Sequence, residues 1–212
     1  MRLGALLLLV LTSGCTSFSS LQTARTLPEG THRAFVGAGY FRTPVVSPSS
    51  PDRGNFPYLE GGGRFGFLEG WDIGLKYTMP GMFTGDAKFN VYQDAAFAFS
   101  LGFGMGYVAV KAGDASDTDS INREVLDLIV PSYVSYDFSP LFGIYASPRF
   151  VLRWSVQQLN LLGGALGARI GNYVGGFVEV GGAADVTSEF RQYHLAVGVF
   201  FGSGPSVPTP PG

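Results

Sequence analysis

The stretch from Phe97 to Tyr107 limits what this chain can become more than any other. Phe97, Phe99, Leu101, Phe103, Met105 and Tyr107 alternate with Ala98, Ser100, Gly102, Gly104 and Gly106. Side chains on a strand point in turn to its two faces, so one face is bulky and apolar and the other nearly bare. A strand of about eleven residues is long enough to cross a bilayer at a tilt. A soluble sandwich would turn a polar second face to water, and this face has little that is polar. A barrel in lipid reverses the order, with large apolar side chains outside and small or polar ones in a crowded interior.

The totals agree with that reversal. Charged residues are 14% of 212, well below the usual share of about a quarter. No run of about 18 apolar residues is present for a spanning helix. A net charge of -2 argues against nucleic acid as a partner. The single cysteine excludes an internal disulfide framework and any multi-cysteine metal site. No metal-ligand spacing, phosphate loop or dinucleotide fingerprint appears, and Gly61 to Gly63 falls inside a predicted strand, so no cofactor is expected.

Met1 and Arg2 precede an apolar run from Leu3 to Leu11, too short to span as a helix. The sequence Leu11-Thr12-Ser13-Gly14-Cys15 resembles the lipobox of bacterial lipoprotein signal peptides. That family prefers Leu three residues before the cysteine, where Thr12 stands here. The resemblance implies removal of residues 1–14 and acylation of Cys15, with palmitate among its chains. It also implies handling by the lipoprotein export machinery, with Thr16 compatible with the outer membrane. The alternative is an ordinary secretory signal with a chance cysteine. Residues 15–31, rich in Ser, Thr and turn formers, read as a periplasmic tether. Fully extended, it would reach roughly 50 Å at about 3.3 Å per residue.

The alternation recurs along the chain. It predicts strands over Arg33–Phe41, Tyr58–Phe67, Trp71–Met79, Asp86–Gln93, Phe97–Tyr107, Val125–Asp137, Phe142–Trp154, Leu161–Gly171, Gly176–Ala184 and Gln192–Phe201. The facing of the first is ambiguous. In the fourth, Ala87, Phe89 and Val91 oppose Lys88, Asn90 and Tyr92. Pro148 suggests a bulge in the seventh. About ten strands, with eight as the alternative, give an even number, as single-chain bacterial barrels require. Connections after even-numbered strands are tight, and those after the first and fifth are long. Phe67, Trp71, Phe97, Tyr136, Phe142, Tyr173, Phe177 and Phe201 gather at the short-turn ends, and Tyr58, Tyr77, Tyr107, Trp154 and Tyr193 near the other, as two membrane interfaces would select.

Together, residues 32–202 resemble the small bacterial outer-membrane β-barrel proteins: all-β, transmembrane, antiparallel and up-and-down. The resemblance implies short turns and both termini in the periplasm, contact with outer-membrane lipid, and insertion by the barrel assembly machinery. It also places an acylated Cys15 in the leaflet on the periplasmic side. Members usually end on an aromatic residue; here a Pro-rich tail, residues 203–212, follows Phe201 and reads as an extended periplasmic end.

The inward set holds Glu60, Arg64, Asp72, Lys76, Lys88, Asp127, Arg149, Arg153, Arg169, Glu179 and His194. Buried charges must be paired or solvated. A salt-bridged, closed interior is one reading, and a narrow path for small solutes the other, so no enzymatic role is expected. An outer-rim enzyme acting on lipid or peptide is an alternative, with His194 near Asp185 and Glu189, although no nucleophile motif supports it. A lipid-tethered, lipocalin-like soluble binder is a third, but it would need polar outer faces.

Overall fold

A computed structural model describes residues 19–44, 53–79, 81–112, 121–155 and 158–204. Ten strands follow in order: β1 (His32–Pro44), β2 (Arg53–Leu68), β3 (Trp71–Thr78), β4 (Met82–Gln93), β5 (Phe97–Ala112), β6 (Ile121–Ser139), β7 (Phe142–Trp154), β8 (Leu159–Gly171), β9 (Val174–Asp185) and β10 (Arg191–Gly202). Each pairs antiparallel with its chain neighbours. Strand β1 closes the ring on β10, from Arg33 opposite Gly202 to Arg42 opposite Tyr193. A closed ring leaves no unpaired edge, which a wall in hydrocarbon cannot tolerate.

Period two sets the facing. Leu75 is 73% and Phe103 52% exposed, whereas Arg153 is 3% and Lys88 1% exposed. In water this outward set would form an apolar surface far larger than soluble monomers carry, and in lipid it is matched by its surroundings. The polar exterior that a soluble binder needs is not there. In β1, left open by the sequence, Arg33, Phe35 and Phe41 are buried, while Val36 and Tyr40 face outward.

Three local expectations are corrected. Strand β4 starts at Met82 rather than Asp86, and a register shift lies between Asn90 and Tyr92. The extra residue turns both Val91 and Tyr92 outward, so Tyr92 does not face the interior as strict alternation predicts. Pro148 makes no bulge. The β6–β7 ladder skips the positions opposite Ser147 and Pro148, resumes in the same register, and leaves Pro148 exposed. Tyr58 and Phe177 do not join the outer aromatic belts. Each lies two residues from an inward carboxylate, Glu60 or Glu179, and period two carries it to the same side, where both are buried.

Connections at 69–70, 94–96, 140–141 and 172–173 are tight, and those at 45–52, 113–120, 155–158 and 186–190 are longer. The connection at 79–81 is as short as 94–96, because β4 starts early. Strand β1 begins and β10 ends at the short-turn end. Outward aromatics cluster there: Trp71 stacks on Phe89 at 5.0 Å and Phe138 on Phe142 at 5.5 Å between ring centroids. The predicted signal peptide, residues 1–14, with Cys15 and the tail beyond Gly204, lies outside the described residues.

Candidate functional site

The interior is not empty. Residues 19–27, expected as a tether outside the barrel, run through it, and Ser19, Ser20, Leu21, Gln22, Thr23, Ala24, Arg25 and Leu27 are all buried. The segment descends from mid-lumen to the short-turn end, turns at Pro28 to Gly30, and enters β1. Gly30 N donates to Gly66 O at 2.7 Å. A side chain at Gly66 would collide with the Leu27 and Pro28 carbonyls, which is why the wall is bare there. A polar, non-periodic strip cannot pair as a strand on a closed wall. Inside the barrel its backbone groups must be met by wall side chains instead.

They are. Glu179 accepts from Ser20 N at 2.7 Å, Ser20 Oγ at 2.6 Å and Leu21 N at 3.0 Å. Tyr145 donates to the same carboxylate at 2.9 Å, and His194 Nε2 lies 3.1 Å from it. Glu60 accepts from Ser19 Oγ at 2.6 Å, and Lys76 reaches Ser19 O at 2.7 Å and Glu60 at 3.2 Å. Lys88 donates to Thr23 O and Arg25 O, each at 2.9 Å, and lies 5.4 Å from the centre of the Tyr133 ring. Gln22 donates to Tyr133 OH at 2.9 Å. Asp72 accepts from Leu27 N at 3.0 Å. At the short-turn rim Arg25 binds Asp137 at 2.7 Å and the carbonyls of Asp94 and Ala95 at 3.0 Å each.

Leu21 holds the bend. Its φ is 43°, a left-handed conformation that costs a branched-chain residue roughly 1 to 2 kcal/mol. The residue is 2% exposed and packs in a cluster with Phe35, Tyr145, Phe177 and Phe200. Its methyl lies over Gly37 and Gly198, where a Cβ would come within 2.8 and 2.9 Å of it. These contacts, with the bond from Leu21 N to Glu179, hold a backbone that would otherwise relax.

The remaining charges brace the wall. Arg64 meets Asp72 at 2.5 Å and Asp86 at 2.8 Å, and Arg153 meets Asp127 at 2.8 Å. Arg169 binds the second oxygen of Asp137 at 3.0 Å. Arg149 donates to Ser147 at 2.9 Å. All eleven residues predicted for the interior therefore lie there. Arg25, Arg33, Asp86 and Asp137 also face inward and were missed. Asp86 and Asp137 sit at the ends of the strands as read from sequence, where one more step of alternation places both inside. Arg25 was missed because its whole segment was read as a tether. His194 is paired with Glu179 and not with Asp185, which instead accepts from Asn160 N at 2.7 Å and Thr187 Oγ1 at 2.7 Å. The acid–base pair imagined at the outer rim is not assembled. Among the described residues no group of three or more His, Cys, Asp or Glu could hold a metal.

Toward the long-loop end, Met82, Val108 and Val125 cluster inside on one side, and Val151, Leu161 and Ala183 on the other. Beside the segment a cavity of about 50 Å³ remains, room for a few waters.

No protein-family model and no curated protein matches this sequence. Solved structures similar in shape include the outer membrane protease OmpT of Escherichia coli, at 10% identity and TM-score 0.44, covering 86% of this chain and 100% of that one. The translocator domain of the autotransporter NalP from Neisseria meningitidis is similar at 10% identity and TM-score 0.39, over 94% and 95%. Neisserial surface protein A follows at 14% and 0.31, over 82% and 99%. Identities this low transfer no activity.

Proposed function

We propose that this protein is a bacterial outer-membrane barrel, lipid-anchored at Cys15, whose own leading segment fills the lumen and makes it a non-conducting structural element. The observation that carries this is the Glu179 carboxylate, which takes three donors from Ser20 and Leu21 while held from behind by Tyr145 and His194. A charge-assisted hydrogen bond is worth about 1.5 to 3 kcal/mol, so several such bonds fix the segment against thermal withdrawal. The apolar exterior supports the membrane placement. Outer-membrane lipid, the barrel assembly machinery and the lipoprotein export machinery are the partners this reading implies.

The test is planar-bilayer conductance of the purified protein. The wild type is expected to be silent across voltages, and a variant lacking residues 19–27 but retaining the ten strands is expected to conduct. Steady conductance by the wild type would favour the narrow solute path instead.

A further inference from the structure

The cavity beside the segment is walled by Ser19, Ser20 and Gln22 on one side and by Lys76, Thr84 and Arg149 on the other. Arg149 is 8% exposed, and among the described residues no carboxylate pairs with it. It donates to Ser147, two residues away on the same strand, and its Nε has no hydrogen-bond partner. Thr84 Oγ1, buried in the same wall, is also without one. The nearby carboxylates are committed elsewhere: Asp86 to Arg64 at 2.8 Å, and Glu60 to Lys76 and Ser19. A buried guanidinium without a direct ion pair is costly, and Glu179, the carboxylate whose field reaches it, is already bonded by Ser20, Leu21, Tyr145 and His194.

We propose that the cavity binds a small inorganic anion, of halide size, on Arg149, with the hydroxyl of Thr84 and the second amide hydrogen of Gln22 completing its shell. The fit follows from chemistry and size. The wall offers N–H and O–H donors and a net positive charge, and a volume of about 50 Å³ suits a small ion better than a larger organic one. The site rests on the seated segment, since Ser19, Ser20, Leu21 and Gln22 of that segment line it. The anion would then act as a mortar between segment and wall.

Two measurements decide it. The thermal unfolding midpoint of the detergent-solubilised protein should rise saturably with sodium chloride or bromide over matched sodium gluconate, whose anion is too large to enter. Arg149→Gln should abolish the difference, and Thr84→Val should weaken the half-saturating concentration several-fold. Independently of whether a variant folds, crystals of the wild type soaked in bromide should show an anomalous peak within hydrogen-bond reach of Arg149 Nε. Water alone in the cavity, or equal responses to halide and gluconate, overturns the proposal. A conducting wild type would instead overturn the filled lumen, a separate readout.

Discussion

Arg25 and Asp137 meet at 2.7 Å across 112 positions of sequence, and the other oxygen of that carboxylate is taken by Arg169 at 3.0 Å. One anion thus fastens the leading segment to β6 and β6 to β8 at the short-turn rim. Asp137→Asn would leave two buried guanidinium groups sharing a neutral amide. Breaking a buried pair from one side costs about 3 to 5 kcal/mol. The variant should therefore lose its heat-modifiable migration at a clearly lower temperature than the wild type on a gel. Asp94→Asn, whose carboxylate accepts from its own turn at Ala96 N and Phe97 N, should lose much less.

The seat of Leu21 can be tested by exchange. Gly37→Ala places a methyl about where Leu21 Cδ1 already is, 2.8 Å from the new atom. Leu21→Ala vacates that space at a cost of roughly 2 to 5 kcal/mol. Each single substitution should loosen the segment and expose it to added protease. The double variant should be tighter than the sum of the two predicts, because the small side chains no longer compete. Strict additivity in the cleavage rates would show that the two residues do not touch.

Asp94 sits in the turn between β4 and β5, outside the wall. Phe97 N at 2.7 Å and Ala96 N at 2.8 Å both donate to its Oδ1, and these bonds hold its carboxyl below the ordinary aspartate value. A depressed folded-state value contributes stability that is present above the unfolded pKa and disappears as pH falls through the folded one. The wild type should thus be more stable than Asp94→Asn at neutral pH. The gap should begin to close as pH drops past about 3.9, the free aspartate value, and should be gone below the lower value of the folded turn. Equilibrium urea midpoints across the acid range would follow it, and a gap that does not change with pH would remove the ion from the account.

Acylation of Cys15 predicts palmitate labelling and a mass shift, both lost in Cys15→Ala, and a precursor that accumulates when signal peptidase II is inhibited. The position of Ser19 points away from the periplasmic leaflet that the resemblance implies for Cys15. Cys15 lies four positions before Ser19, a span of at most about 14 Å. Ser19 is bonded to Lys76, which lies two residues from the end of β3, where the wall is low. Reaching the short-turn side would require doubling back through space already taken by residues 20–27. A short epitope inserted after Thr16 should accordingly be recognised on intact cells. Recognition only after permeabilisation would mean that the segment is not seated in the living membrane.

The wall was legible because period two is a strong signal when one face is bulky and the other small. Phe97 to Tyr107 is that signal at its plainest, and the eleven predicted inward residues follow from it. The reading slipped where period two fails or where strands end. The shift near Val91 turned Tyr92 outward, and Asp86 and Asp137 lay at the limits of the strands as read. Residues 19–27 were read as a tether because Ser-Thr-Gln composition carries no periodicity. Their fit depends on Glu179, Glu60 and Lys88 of distant strands, which only the closed ring brings together. The inward Tyr58 and Phe177 were within reach of the same rule that placed Glu60 and Glu179.

Strand β1 starts only after the chain has already passed through the hollow, and it is the same strand that must find β10 to finish the circle. The last seam, from Arg33 beside Gly202 upward, encloses residues 19–27 in the finished ring. The finished ring thus cannot be separated from what fills it, because the filling and the closing strand are one continuous stretch of chain.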